Sequence, residues 1–181
     1  MSRREEIIEL AADLIHQYGY NNLGIQKIVE EAGIPKGSFY HYFSSKEDLG
    51  LAVVDYFIVQ TKGIFSQFDK SISGLKGFFL CYAKRLEELQ YQRGCPIGNL
   101  VLELADINEN FRIKLLEWTT YLEREIYEIL SRSNLNTELD RKLMSSFIVS
   151  AFEGATLKTK LEKCRKPYDE FMHFVFEILL K

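Results

Sequence analysis

The fold is decided by residues 28–49, which read IVEEAGIPKGSFYHYFSSKEDL. The apolar residues at the start of this stretch have the spacing of a short helix over residues 24–32. Gly33 then offers the left-handed backbone conformation in which a helix can end, and Pro35 suits the first turn of another short helix that ends near Phe43. Two short helices joined by a tight turn with a glycine predict a helix-turn-helix motif.

Helical spacing of apolar residues continues on both sides of this motif. The N-terminal segment predicts an amphipathic helix over residues 3–18, which begins with a capping box of Ser2 and Glu5 and ends at Gly19. Further helices are predicted over residues 44–68, 71–90, 95–105, 108–132, 137–164 and 167–181. We therefore expect an all-α chain of about nine helices. A three-helix head, residues 1–47, precedes a larger helical body, residues 48–181.

The composition is that of an ordinary globular protein. Of the 181 residues, 46% are hydrophobic and 27% are charged, a balance that excludes disordered and low-complexity chains. The three cysteines are far apart, so neither a disulfide framework nor a zinc knuckle is indicated. The N-terminus lacks the apolar run of a secretory signal, and no segment has the apolar length of a membrane span. We therefore expect a cytoplasmic protein without membrane contact.

The charge distribution bears on nucleic-acid binding. The net charge of −3 argues against such binding for the chain as a whole, since a basic patch is the usual footprint of phosphate contacts. Residues 1–50 hold five Lys and Arg against eight Asp and Glu, so the deficit lies in the head. Residues 32–46, however, contain Lys36 and Lys46 and no acid. This distribution predicts a locally positive strip with few phosphate contacts and weak non-specific affinity.

Residues 3–50 resemble the head of the TetR family of bacterial transcriptional regulators. The resemblance is carried by residues 28–49, where Ala-Gly, Lys-Gly, the aromatic cluster and Lys-Glu follow in the order typical of that family. It implies that the third helix enters the major groove of DNA, while the second helix and the start of the fourth hold phosphates. The expected DNA contacts are Gly24, Lys27, Lys36, Gly37, Ser38, Tyr40, His41, Tyr42 and Lys46.

Two residues depart from the family's pattern. Gly24 stands where the family usually has a Thr or Ser that caps the second helix and touches phosphate, so only backbone amides can make that contact here. Pro35 replaces a small polar residue and removes a hydroxyl and an N–H donor from the start of the recognition helix. These two replacements leave undecided whether this chain makes one of the family's phosphate or base contacts. Phe39 and Phe43, four residues apart, are expected in the core instead.

The body holds 18 of the 24 aromatic residues. Ordinary core filling accounts for most of them. The resemblance implies that the body also encloses an effector cavity, and aromatic side chains with a few polar groups suit a small, largely apolar ligand. The candidate pocket residues are Phe65, Phe68, Phe78, Tyr82, Cys95, Trp118 and Tyr121.

Cys95 has two open interpretations. It precedes Pro96, the expected first residue of a helix, and there the helix dipole favours a thiolate that could sense an electrophile or an oxidant. Alternatively, Cys95 is a small residue that fills a contact between helices.

The last two helices carry apolar faces with small residues that allow close helix approach. The resemblance makes this pair the interface of a homodimer, which would present two recognition helices about 34 Å apart, one turn of DNA. The expected interface residues are Phe147, Ala151, Phe152, Gly154, Ala155, Phe171, Phe174, Val175 and Ile178.

These expectations combine into a homodimeric regulator, a repressor that a small apolar or electrophilic effector releases from double-stranded operator DNA. One alternative is a helical protein-interaction module that has lost DNA binding, which the acidic head, Gly24 and Pro35 favour. An enzyme is a further alternative, but Ser73 and Lys76 match only a four-residue SxxK pattern without its companion motifs. Neither a metal site nor a cofactor is expected, because no nucleotide fingerprint occurs and the three histidines have no spacing partner.

Overall fold

The computed structural model describes residues 1–135 and 137–181. Within these residues all regular secondary structure is helical and no strand forms, which confirms the all-α prediction. The elements are α1 (Arg3–Tyr18), α2 (Ile25–Glu31), α3 (Lys36–Tyr42), α4 (Lys46–Phe65), α5 (Ile72–Glu88), α6 (Pro96–Leu104), α7 (Glu109–Arg132), α8 (Arg141–Glu162), α9 (Lys166–His173) and a π-helical segment (Phe174–Leu179).

The first helices end where local sequence signals predict. The Ser2 hydroxyl accepts a hydrogen bond from the Glu5 N–H at 3.3 Å, and the Glu5 carboxylate accepts from the Ser2 N–H at 2.6 Å, which is the expected capping box. Gly19 ends α1 with a φ of 84°, and Gly33 has a φ of 62° in the turn after α2. Glycine adopts such angles at little cost, so both turns follow from the sequence.

The start of α8 differs from its predicted position. The helix begins at Arg141 rather than at Thr137, because the Asp140 carboxylate caps it by accepting from the Leu143 N–H at 2.8 Å. The Thr137 hydroxyl accepts instead from the Leu139 N–H at 3.1 Å. The predicted last helix also changes character, since α9 ends at His173 and the chain continues as the π-helical segment.

The chain forms two compact units. Unit 1 comprises residues 1–61 and 96–116, and unit 2 comprises residues 62–95 and 117–181. No helix in the described part of the chain has the length and apolar character needed to cross a membrane.

The core of unit 1 anchors the helix-turn-helix. Phe39 and Phe43 are 0% and 1% exposed, with ring centroids 5.5 Å apart, as the sequence predicts. Tyr20 packs edge-on against Phe111 of α7 at 5.2 Å between ring centroids. Gly50 of α4 lies so close to these two rings that an added Cβ would stand 2.6 Å from each.

The core of unit 2 is an aromatic cluster that joins α5, α8 and α9. Phe79 of α5 meets Phe152 of α8 at 5.3 Å and Phe171 of α9 at 5.2 Å between ring centroids. Tyr168 of α9 is fully buried, and its hydroxyl donates to the Phe79 carbonyl oxygen at 3.0 Å. This hydrogen bond satisfies a polar group that burial would otherwise make costly.

Candidate DNA interface and effector site

The recognition helix α3 exposes most of its predicted DNA contacts. Pro35 has a φ of −60° and a ψ of 143° and lies one residue before the helix, so it does not occupy the first turn as predicted. Phe39 holds the inner face of α3 in the core, and Ser38 and Tyr42 are partly buried. The exposed residues of α3 are Lys36, Gly37, Tyr40 and His41.

The two predicted contacts on and before α2 are also exposed. Gly24 precedes the helix, and among the described residues no side chain caps this end. A Cβ at Gly24 would meet no atom within 4 Å, so the surrounding chain leaves room for a larger residue at this position. The Lys27 ammonium lies 4.8 Å from the centroid of the Tyr18 ring.

Lys46 differs from the other predicted DNA contacts, because its ammonium is bound within unit 1. The Lys46 Nζ donates to the Tyr20 carbonyl oxygen at 2.7 Å and lies 4.2 Å from the centroid of the Tyr20 ring. Burial lowers the pKa of Lys46, and the Glu103 carboxylate opposes this effect. Burial, with a contribution from Glu47, raises the pKa of Tyr20 to about 12. Lys46 therefore fixes the head loop, residues 19–24, which joins α1 to α2.

Glu103 of α6 binds the backbone of the same head loop. Its carboxylate oxygens accept hydrogen bonds from the N–H groups of Tyr20 at 3.3 Å and of Asn21 at 2.9 Å. A Cβ at Gly19 would stand 2.9 Å from Glu103 Oε1, so the loop lies directly against the carboxylate. Sequence reasoning missed Glu103 because its partners lie 83 and 82 residues earlier in the chain. The sequence signal was an acid between Leu102 and Leu104 of a short apolar helix.

Four of the predicted pocket residues lie where the end of α4 meets α5 and α7. Phe65 meets Phe78 at 4.8 Å and Tyr121 at 6.3 Å between ring centroids. The Phe68 ring lies over Gly77 of α5, where an added Cβ would come within 2.7 Å of it. Phe65 and Phe78 are buried, whereas Phe68 and Tyr121 are partly exposed.

Two further predicted pocket residues meet around Phe152. Tyr82 of α5 contacts this ring at 4.8 Å, and Trp118 of α7 contacts it at 6.4 Å between centroids. Tyr82 also stacks on Tyr168 at 6.4 Å with an interplanar angle of 14°. Aromatic residues of α5, α7 and α9 thus contact the Phe152 ring of α8.

Beside this ring lies a set of four polar side chains that we call the buried polar cluster: Tyr82, Cys95, Glu153 and Tyr168. Cys95 forms hydrogen bonds with the Tyr82 hydroxyl and with the Glu153 carboxyl. Burial raises the pKa of Glu153 from 4.5 to about 7, against the hydrogen bond from Cys95 that lowers it. Burial and then Cys95 raise the pKa values of Tyr82 and Tyr168 well above 10.

One atom of the buried polar cluster is unsatisfied. Glu153 Oε1 is buried and has no hydrogen-bond partner among the residues that the structure describes. Sequence reasoning found Tyr82 and Cys95 but missed Glu153 and Tyr168. Local sequence gives no apolar pattern that marks Glu153, because Ser146 and Lys160 lie on the same face of α8.

The predicted dimer residues fall into two groups in unit 2. Phe152, Ala155, Phe171 and Val175 are buried within the unit, and Ala151 is partly exposed. The exposed members are Phe147, Gly154, Phe174 and Ile178. Phe147 and Phe174 bring α8 and the π-helical segment together at 6.3 Å between ring centroids.

The exposed apolar face of α8 extends beyond the predicted residues. Leu143, Leu157 and Leu161 are 68%, 55% and 79% exposed and lie on the same side of the helix as Phe147 and Gly154. We call these five residues the α8 stripe. Its four large exposed apolar side chains, in one row along a helix, are unusual on a monomer and are typical of an interaction surface.

Metal binding has no counterpart in the geometry of the described residues. Nowhere in residues 1–135 and 137–181 do three or more His, Cys, Asp or Glu side chains stand together in a way that could hold a metal ion.

Comparisons with known proteins match both parts of the chain. A family model described as bacterial regulatory proteins, tetR family, matches residues 7–53, and one described as tetracyclin repressor-like, C-terminal domain, matches residues 71–175. The chain is 31% identical to the HTH-type transcriptional repressor DhaR of Mycobacterium sp. (strain GP1), over 98% of this chain and 92% of that protein.

A second curated relative and a solved structure agree with this match. The transcriptional regulator AcuR of Cereibacter sphaeroides is 28% identical, over 94% of this chain and 84% of that protein. The crystal structure of regulatory protein TetR from Rhodobacter sphaeroides superposes with a TM-score of 0.85 and 26% identity, and the match covers 95% of each chain.

Proposed function

Because the chain belongs to the TetR family of bacterial regulatory proteins, we propose that it is a homodimeric transcriptional repressor that a small molecule releases from its operator DNA. The relative DhaR is named a transcriptional repressor, which favours repression as the output. We propose no catalytic activity, since the named relatives are regulators. The site of action would be the cytoplasm.

The observation that carries this proposal is the exposed face of α3. Lys36, Tyr40 and His41 project from a helix whose other face, through Phe39, is fixed in the core. A short helix held in this way can enter the major groove and present side chains to base edges and phosphates. Lys27 and the uncapped start of α2 would contact phosphates beside it.

The dimer would form through the α8 stripe together with Phe174 and Ile178. A two-fold axis brings the same apolar surface of both copies together and would bury side chains that are now exposed to water. Phe152, Ala155, Phe171 and Val175 would support this surface from behind as part of the unit's own core. In this proposal residues 1–47 bind DNA, and residues 48–181 bind the effector and form the dimer.

The effector would bind in unit 2, among the aromatic residues and the buried polar cluster. It can shift the protein away from DNA only if it prefers a state in which the head no longer fits the operator. Helix α6 would link the effector site to the head loop. Cys95 of the buried polar cluster directly precedes α6, and Glu103 lies at the other end of that helix. A shift of α6 would act on the head loop through Glu103.

Selection of bound sequences from a random DNA pool tests the DNA-binding part of the proposal. We expect one short, two-fold symmetric motif to be enriched, with an affinity that falls steeply as salt increases. The Lys36→Ala variant should bind this motif more weakly and lose about one unit from the slope of log affinity against log salt.

The matched control is Lys84→Ala, which removes an exposed lysine from α5, far along the chain from the head. It should leave both the affinity and the salt slope unchanged. If no motif is enriched and binding to DNA does not depend on salt, the chain is not a DNA-binding regulator, and a helical protein-interaction module becomes the better description.

A further inference from the structure

We infer that the effector is a small, largely apolar amine, and that its ammonium group is bound by the buried carboxylate of Glu153. This inference rests on the proposed function, because it names the chemistry of the ligand that would act on the repressor. It starts from the unsatisfied Oε1 atom of Glu153.

The buried polar cluster leaves one acceptor open and keeps its donors engaged. The Tyr168 hydroxyl donates to the Phe79 carbonyl oxygen at 3.0 Å, and the Tyr82 hydroxyl is hydrogen-bonded to Cys95. Cys95 in turn is hydrogen-bonded to the Glu153 carboxyl. A buried carboxylate oxygen without a partner is costly, so a ligand that donates a hydrogen bond to it gains more than it would from an exposed oxygen.

The aromatic surroundings favour a cation over a neutral donor. The rings of Tyr82 and Tyr168 lie close enough to Glu153 for its charge to help raise the pKa values of both tyrosines. The faces of such rings attract an ammonium group, and the attraction grows when water is excluded. An apolar amine would therefore place its hydrocarbon part against aromatic side chains and its charge against the carboxylate.

The elements around Glu153 carry Tyr82, Tyr168 and Lys160 as further titratable groups. Tyr82 and Tyr168 stay neutral near pH 7, since their pKa values are raised well above 10. Lys160 is on the same face of α8, two turns further on, and its stem lies against Gly94, 3.1 Å from where a Cβ of that glycine would stand. Burial raises the pKa of Glu153, whereas a neighbouring cation would lower it. Burial therefore has the larger effect on this carboxyl.

The test measures binding of matched probes to the full-length protein by isothermal titration calorimetry, without DNA. The probes are butylamine, benzylamine, phenethylamine and tryptamine, each paired with the alcohol and the carboxylate of the same carbon skeleton. We expect at least one amine to bind at least about tenfold more tightly than both of its partners, as a hydrogen bond to a charged group contributes about that factor.

The pH dependence adds a measurement that needs no variant. The amine requires ionised Glu153, so its affinity should rise about tenfold between pH 6 and pH 8, as the carboxyl loses its proton around pH 7. The Glu153→Gln variant, of nearly the same shape, should remain helical by circular dichroism and lose both the preference for the amine and the pH dependence. Glu162→Gln, at an exposed carboxylate of the same helix, should keep both.

Three results would overturn the inference. They are no binding by any amine, tighter binding by the carboxylates at low pH, or an unchanged amine affinity in Glu153→Gln. Release of the operator by the bound amine is measured separately. Binding that needs Glu153 without release from DNA would support the amine site and contradict the proposed switch, so the two failures are distinguishable.

Discussion

The carboxylates of Glu103 and Glu153 meet opposite surroundings. Glu103 is partly exposed, and its carboxylate oxygens accept hydrogen bonds from two backbone N–H groups of the head loop. The Oε1 atom of Glu153 is buried without a hydrogen-bond partner, so the ionised form of this carboxyl is costly in the absence of a ligand. The first residue therefore stabilises the folded chain, and the second holds a binding site at the expense of stability.

The raised pKa of Glu153 predicts how stability depends on pH. The pKa is about 7 in the folded chain against an ordinary value of 4.5, so the contribution of this group is most favourable below about pH 4.5, is lost as pH rises towards 7, and is constant above that. Since one pKa unit corresponds to about 1.4 kcal/mol, the Glu153→Gln variant should be more stable than the parent at pH 8 by up to roughly 3 kcal/mol.

Urea unfolding at pH 5 and pH 8, at one protein concentration, measures this effect. The difference in free energy of unfolding between Glu153→Gln and the parent should grow from pH 5 to pH 8. An equal difference at both pH values would mean that Glu153 does not titrate in the folded chain as its burial implies. Glu162→Gln serves again as the control and should follow the parent.

At single residues, sequence reasoning succeeds where the partner is close in the chain. The capping box of Ser2 and Glu5 and the turns at Gly19 and Gly33 depend on three or four consecutive residues, and all were predicted. The partner of Lys46 is the Tyr20 carbonyl, 26 residues earlier, and no local pattern marks that contact. The exposure of Lys36 and Tyr40, in contrast, followed from the need to bury Phe39 on the same short helix.

Two glycines of α4 give a matched pair at the level of the helix. Gly50 is buried against Tyr20 and Phe111, and a Cβ there would stand 2.6 Å from each ring, so Gly50→Ala should destabilise the protein by about 1–3 kcal/mol through overpacking. Gly63 has no atom within 4 Å of its Cβ position, so Gly63→Ala should be neutral or more stable by about 0.5 kcal/mol, through helix propensity.

Thermal unfolding of the two variants beside the parent checks this pair. Equal changes in both would show that helix propensity alone decides the outcome and that Gly50 is not a close contact between α4 and its neighbours in unit 1.

Glu103 makes α6 responsible for the shape of the head loop. Replacing Glu103 by Ala leaves two backbone N–H groups without their acceptor, and we expect a loss of about 1–3 kcal/mol in the free energy of unfolding. Amide hydrogen exchange at Tyr20 and Asn21 should be faster in the variant than in the parent, whereas exchange in α5 should be the same in both. Glu88→Ala, at an exposed acid of α5, is the control, and a variant of Glu103 that matches it would contradict the role assigned to α6.

At the level of helices, the spacing of apolar residues predicted all nine α-helices that the structure describes, but some of their ends differ from the prediction. Thr137 and Asp140 are both capping residues, and the sequence alone does not show which of them the chain uses. The change to a π-helical segment after His173 was not predicted, because residues 174–179 have an apolar pattern that suits an ordinary helix equally well.

The whole molecule is expected to work as a dimer, and Gly154 at the centre of the α8 stripe provides the test. A Cβ at Gly154 meets no atom within 4 Å, so Gly154→Arg should fold as the parent does in the single chain. In the dimer it would place a charge from each copy into an apolar interface, and we expect a loss of about 3 kcal/mol or more in dimer stability.

Sedimentation equilibrium should then show a monomer at concentrations where the parent is a dimer, with much weaker operator binding. Lys142→Glu is the control, because at about 100° per residue it lies roughly 120° around α8 from Gly154. A Gly154→Arg protein that remains dimeric would place the two-fold interface elsewhere.

For the whole molecule, the sequence predicts the family-like head and the helical body but not how the chain is shared between compact units. Unit 1 includes residues 96–116 in addition to the N-terminal segment. This sharing depends on contacts such as that between Tyr20 and Phe111, which are far apart in the chain. Periodicity within single helices carries no information about such pairs.

The division of unit 1 into two chain segments has a consequence for building hybrid regulators. A chimera joined at residue 47 would combine a foreign head with this protein's α6, so Glu103 would face a loop that did not evolve beside it. An exchange that keeps its own supporting contacts has to transfer residues 1–61 and 96–116 together. The support of the head loop is therefore encoded in two separate stretches of the chain.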